Sequence, residues 1–158
     1  MLEIAESEEY MAPWSLAAFA ITMTTGRIFG DKLRINLGDK TILRGGSSLA
    51  FIGMLISLAY PTPVTTILGA AMVGTGLSGA VPILFSLSGS IPKLSASAAL
   101  SMVTSISYLG LFLGPAVIGF LTERFDLRIG YGFILLALAM MVVLTWQLKA
   151  GPTKEGSV

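Results

Sequence analysis

The chain has 158 residues, of which 54% are hydrophobic and only 12% charged, and its mean hydropathy is +0.82. Ordinary soluble domains carry about 25% charged residues, so in water this chain would leave large apolar patches exposed. It has no Cys and no His, which excludes disulfides, His-ligated metals and nucleophile systems built on His, and a net charge of +1 gives no reason to expect nucleic acid.

The expected class is therefore an all-α integral membrane protein with about five transmembrane helices and the lipid bilayer as its main partner. Strands are a poor reading, because the apolar runs lack alternation. No metal or cofactor is expected, and no enzymatic activity.

Residues 1–10 form an acidic segment with Glu3, Glu6, Glu8 and Glu9. They lack the basic start of a cleavable signal. A spanning helix needs about 20 mostly apolar residues, and such runs fall at 11–30, 43–60, 64–87, 96–121 and 129–148. The bundle so defined covers residues 11–149, and 150–158 form a tail. Tyr60-Pro61-Thr62-Pro63 is a Pro-rich turn, since Pro lacks the N–H that a helix interior uses. A second polar turn is Ser88-Gly89-Ser90-Ile91-Pro92-Lys93.

Lys and Arg in short loops set orientation. With the loop at 32–40 inside, eight basic residues (Arg27, Lys32, Arg34, Lys40, Arg44, Lys93, Lys149, Lys154) are inside and only Arg124 and Arg128 outside. The N-terminus is then expected outside and the C-terminus in the cytoplasm, in a cell inner (plasma) membrane. Tyr10, Trp14 and Tyr60 suit interfacial anchors.

Gly26-Arg27-Ile28-Phe29-Gly30-Asp31-Lys32, followed by Gly38-Asp39-Lys40, resembles the cytoplasmic loop motif of the major facilitator superfamily. Gly26 and Gly30 suit close helix approach. The resemblance implies that Asp31 and the neighbouring Arg27, Lys32 and Lys40 form a charge relay closing one face. The spacing from Asp31 to Gly38 is longer than usual, and Asp39 stands where a basic residue is common. The plain alternative is an ordinary basic loop.

Gly110-Leu111-Phe112-Leu113-Gly114-Pro115-Ala116-Val117-Ile118-Gly119 looks like the Gly-Pro helix motif of the same superfamily. Gly110 and Gly114 form a GxxxG pair, Pro115 permits a bend, and Gly119 extends the small-residue face. In order, the pattern resembles helices eight to twelve of a carrier, closest to sugar-permease-like or uncharacterised inner-membrane members. The resemblance implies transport of a small polar solute, sugar-like by preference, by alternating access. It also implies a missing N-terminal half and seventh helix, or a second copy in their place, without which the chain is expected to be inactive.

Bilayer-embedded polar residues are the candidates for solute contact. Ser101, Thr104, Ser105 and Tyr108 share one face of the fourth span, at i, i+3, i+4 and i+7. They read either as a polar cavity wall or as a packing seam whose hydroxyls bond their own i−4 carbonyls. Gly74-Thr75-Gly76-Leu77-Ser78-Gly79 matches GxGxxG, but no strand precedes it and no ribose-binding acid follows. Gly74, Gly76, Gly79 and Pro82 read instead as packing and bending positions. No Asp or Glu lies mid-span, so the sequence offers no proton-coupling group. A different class of function is a non-transporting scaffold or regulatory subunit that binds partners through its Gly-rich helix faces.

Overall fold

The computed structural model describes residues 2–89, 95–125 and 127–147, with side chains of 2–12, 31, 127 and 128 outside that description. All elements among them are helices: α1 (Leu2–Leu37), α2 (Asp39–Ala59), α3 (Pro63–Leu77), α4 (Ala80–Ser88), α5 (Ala96–Arg124) and α6 (Leu127–Gln147). Four stretches among the described residues are long and apolar enough to cross a membrane: Asp39–Ala59, Pro63–Ser88, Ala96–Arg124 and Ile129–Gln147. The chain is an all-α membrane bundle. Backbone polar groups have no water to bond in hydrocarbon, so helices satisfy them internally.

The first apolar run does not reach the same threshold. It lies inside α1, a 36-residue helix about 54 Å long, where Pro13, Ser15, Thr22, Thr24, Thr25 and Arg27 dilute its hydropathy. Three of those hydroxyls are satisfied within the helix. Thr22, Thr24 and Thr25 each donate to the carbonyl four residues earlier, at 2.8 Å.

The third run is interrupted. α3 ends at Leu77 and α4 restarts at Ala80, with Ser78 and Gly79 between them. The α3 start has a full capping box, with Thr62 Oγ1 accepting from Thr65 N and Pro63 in the first turn. The α4 start has Gly79 as its N-cap and no side-chain cap bond.

In lipid the hydrophobic effect does not drive one helix onto another, so close approach through small residues has to do that work. α3 is gripped on two sides by this means. Towards α2, a methyl group on Gly76 would run into Gly46 O and the Ala50 backbone, and one on Gly53 would lie 2.6 Å from Met72 Cβ. Towards α1, a methyl group on Gly74 would lie 2.5 Å from Phe19 O and from Thr22 Oγ1. Gly74 and Gly76 point to opposite sides because two residues turn a helix by about 200°.

α2 presents a single buried stripe of Leu43, Ser47, Ala50 and Met54. Its upper part packs with Ala80 and Ile83 of α4, and its lower part with Leu138 of α6. A polar contact ties α2 to α6 inside this packing, with Ser47 Oγ 3.0 Å from Thr145 Oγ1 and both residues buried. Arg44 donates to Thr145 O and Trp146 O at 3.2 Å each, and its guanidinium lies 5.4 Å from the Trp146 ring centroid. A cation on the final carbonyls of a helix also suits the helix dipole. The start of α2 and the end of α6 thus lie at one end of the bundle.

Candidate functional site

The residues of the first motif occupy continuous helix, and the chain turns only at Gly38. Arg, Lys, Leu and Ile between positions 27 and 37 are all compatible with helix, so basic sequence alone does not end α1. Gly38 does. Its φ of 78° and ψ of 155° fall where only glycine sits without strain. Across this turn Arg34 grips Asp39 with two bonds, Nε to Oδ1 at 2.5 Å and a second guanidinium nitrogen to Oδ2 at 2.9 Å. That bidentate pair spans the turn and ties the end of α1 to the start of α2.

Gly26 faces the α3–α4 break, where a methyl group would lie 2.5 Å from Ser78 Oγ. Arg27, Gly30 and Arg34 line a narrow recess whose other wall is Ile42, Ser78, Gly79, Pro82 and Ile83. Gly30 itself has open space where a side chain would be. Lys32 is exposed and Lys40 half-buried in the first turn of α2. The side chain of Asp31, expected as the centre of a charge relay, lies outside the described residues, as do Lys93 and the tail. Gly79 sits against Ile42 Cγ2, at 3.1 Å from an added methyl.

A second, wider recess lies between α4 and α5. It measures about 320 Å³ and is lined by Phe85, Thr104, Ser107, Tyr108 and Leu111. Of the expected polar face, Thr104 and Tyr108 line it, while Ser101 and Ser105 are exposed outside it. Ser107 and Leu111 join Thr104 and Tyr108 at i, i+3, i+4 and i+7 counted from Thr104, so the lining face is rotated from the one the sequence suggests. That spacing was readable. Phe85 carries no such signal, because its place depends on where α4 restarts.

Chemically, the recess offers acceptors more than donors. Thr104 Oγ1 donates to Leu100 O and Ser107 Oγ to Val103 O, each at 2.8 Å. Their protons are engaged within α5, and their lone pairs remain. Tyr108 is exposed, with a hydroxyl able to act either way. No charged side chain lines the recess. Further along α5, methyl groups at Gly110, Gly114 and Gly119 would meet nothing within 4 Å, and Pro115 lies inside the helix. No group of His, Cys, Asp or Glu among the described residues could hold a metal.

A bundle of long apolar helices, seamed by glycine and with an uncharged, mostly apolar recess carrying three hydroxyl groups between two of them, defines a multi-pass α-helical membrane protein. More specifically, the chain belongs to the Major Facilitator Superfamily, whose family model matches residues 4–157. It is 38% identical over 122 residues to an uncharacterised MFS-type transporter of Yersinia pestis, covering 77% of this chain and 32% of that protein. It is 29% identical over 135 residues to the membrane protein MosC of Rhizobium meliloti, covering 85% and 33%. An uncharacterised transporter of Sinorhizobium fredii is 26% identical over 147 residues, covering 93% and 39%. The chain therefore spans about a third of the length of these relatives. No solved structure matches it.

Proposed function

We propose that this chain forms part of a secondary transporter that moves a small, polar, sugar-like solute by alternating access across the cell inner membrane. The observation that carries the reading is the open, uncharged recess of Phe85, Thr104, Ser107 and Tyr108, which no helix among the described residues closes. In such carriers the solute site lies between two halves that rock against each other. This chain supplies one wall, and either the remaining length seen in its relatives or a second copy supplies the other.

α1 supplies the first of five spans in this reading, since its residues 19–26 lie against the Pro63–Ser88 span. The basic end, with Arg27, Lys32, Arg34, Lys40 and Arg44, faces the cytoplasm by the positive-inside rule. The N-terminus is outside, and the C-terminus follows α6 to the inside. Trp14 and Tyr60, both exposed, mark the outer interface.

The test is uptake by proteoliposomes. The 158-residue chain alone is expected to give no saturable uptake of neutral sugars, and saturable uptake would overturn the claim that it needs a second half. Joined to the part of the Yersinia pestis relative that it does not cover, it should restore uptake, and Tyr108→Ala should abolish it. A scaffold reading draws on the bare Gly110 and Gly114 face of α5. Charge reversal at Asp31 separates the two. A transporter loses cycling while still inserting, whereas a scaffold loses only partner binding.

A further inference from the structure

The narrow recess between α1, α2 and α4 takes no part in the solute site, and its chemistry differs from that of the wide one. Residues 27–44 hold five basic residues and two acids, a net charge of +3 confined to one end of the bundle. Two of the five, Arg27 and Arg34, line the same recess. Seven residues apart, they stand two turns from each other on one edge of α1, about 10 Å along the axis. Arg34 is engaged by Asp39. Arg27 is exposed at the rim, and a charge near hydrocarbon is costly unless something neutralises it.

The depth of the recess fits a headgroup. Sixteen residues of α3 and α4 separate Pro63, at the opposite turn, from Gly79 in its wall. At 1.5 Å per residue that is about 24 Å, against a hydrocarbon core of about 30 Å. The recess wall at Gly79 therefore stands about 6 Å inside the hydrocarbon boundary, a depth from which a long arginine side chain extends toward the lipid phosphates. The remaining wall is apolar, formed by Ile42, Pro82 and Ile83. The interior, at about 10 Å³, has room for roughly one oxygen-sized group. A ligand must therefore rest on the cationic rim with its apolar part outside. Ile28, exposed on the flank of α1 next to Arg27, offers an acyl chain its surface.

We propose that this rim binds the phosphate of an anionic phospholipid, with Arg27 as the principal contact and Arg34 as the second. A free phosphate shares the charge chemistry but would gain nothing from the apolar wall and the exposed Ile28. The lipid is the source that uses all of these features.

The experiment takes the 158-residue chain in nanodiscs of mixed phosphatidylcholine and phosphatidylglycerol and counts co-released lipids by native mass spectrometry. Phosphatidylglycerol should be retained in preference to phosphatidylcholine. Arg27→Gln should lower its retention about fivefold, the effect of one basic residue at an anionic surface. Arg27→Lys should keep most of it, and Arg124→Gln at the other end should change nothing. Excess glycerol 3-phosphate should fail to displace the lipid. Equal retention of the two lipids by the unaltered chain overturns the proposal without recourse to any variant. So does unchanged phosphatidylglycerol retention in Arg27→Gln with its helical circular dichroism intact, or displacement by glycerol 3-phosphate, which would make this a soluble-phosphate site.

Discussion

Two glycine-rich regions of this molecule have opposite surroundings. On α2 and α3, Gly46, Gly53, Gly69 and Gly76 lie where another helix's backbone or side chain fills the space beside them, whereas Gly110, Gly114 and Gly119 of α5 face open space. The residue type and spacing are alike, so composition does not decide which seam closes. What decides is whether a second helix with small residues of its own comes alongside. For α3, Gly46, Gly53 and Ala50 do so from α2, and Phe19 and Thr22 do so from α1. Beside Gly110, Gly114 and Gly119 no described helix does, and α6 meets α5 elsewhere, where Gly130 lies against Ile118 and Thr122. The closed seam is structural, and the open one adjoins the recess proposed for solute.

The sharpest break of that comparison is a pair of matched substitutions. Gly76→Leu puts a side chain into the Gly46 and Ala50 backbone, which cannot retreat as a side-chain tip could. Overpacking of this kind costs about 1–3 kcal/mol and sometimes more, and the detergent-solubilised protein should lose its cooperative thermal transition. Gly110→Leu should leave the transition within about 0.5 kcal/mol of the parent, as surface changes do. If the two destabilise alike, α5 is covered by another copy, and the contrast between the seams is false.

The turn between α1 and α2 gives the next effect. Gly38→Ala forces a Cβ into a conformation with φ of 78° and should cost about 1–3 kcal/mol. Nothing lies within 4 Å of Gly38 to clash, so the loss would measure backbone strain alone. Thermal melts of Gly38→Ala and Gly30→Ala separate the two motif glycines, because only Gly38 should lose stability.

These positions also mark what the sequence made legible. Apolar runs bounded by Pro-rich or polar turns locate spanning helices, since length and hydropathy are local properties. The length of α1 was not legible in that way. Its charges from Arg27 onward resemble a loop, yet nothing before Gly38 interrupts the hydrogen-bond ladder. The glycines around Ser78 announce close packing and a break in the same letters, and only the surroundings separate the two. In the wide recess, Thr104 and Tyr108 follow from helical spacing. Phe85 comes from another element, so it requires the tertiary structure. The Ser47–Thr145 contact, 98 residues apart, leaves no local trace at all.

That contact sharpens the comparison on the closed side. Each hydroxyl also donates within its own helix, Ser47 to Arg44 O at 3.1 Å and Thr145 to Val142 O at 2.8 Å. With one proton apiece, one of them must share or surrender its own carbonyl to bond across. The coupling should therefore be small, about 0.6 kcal/mol, in line with other interhelical hydrogen bonds in membranes. A double-mutant cycle of Ser47→Ala and Thr145→Val measures it. A coupling above about 2 kcal/mol would mean that the polar contact, and not the glycine seam, holds α2 to its neighbours.

The smallest effect on stability belongs to the open side and is the most telling about function. Thr104→Val keeps the shape of the side chain and removes a hydroxyl whose proton is already engaged by Leu100 O. The carbonyl it releases remains bonded within α5, so thermal stability should change by no more than about 0.5 kcal/mol. What disappears is a lone pair facing the recess. A solute that donates a hydrogen bond to that lone pair loses its partner, and its own hydroxyl stays unpaired once the second half closes over the recess and excludes water. Such an unpaired group costs about 1–3 kcal/mol, so uptake by the chain joined to its second half should show a KM raised roughly tenfold or more. An unchanged KM with unchanged stability would remove Thr104 from the solute site and leave the hydroxyl a purely internal partner of α5.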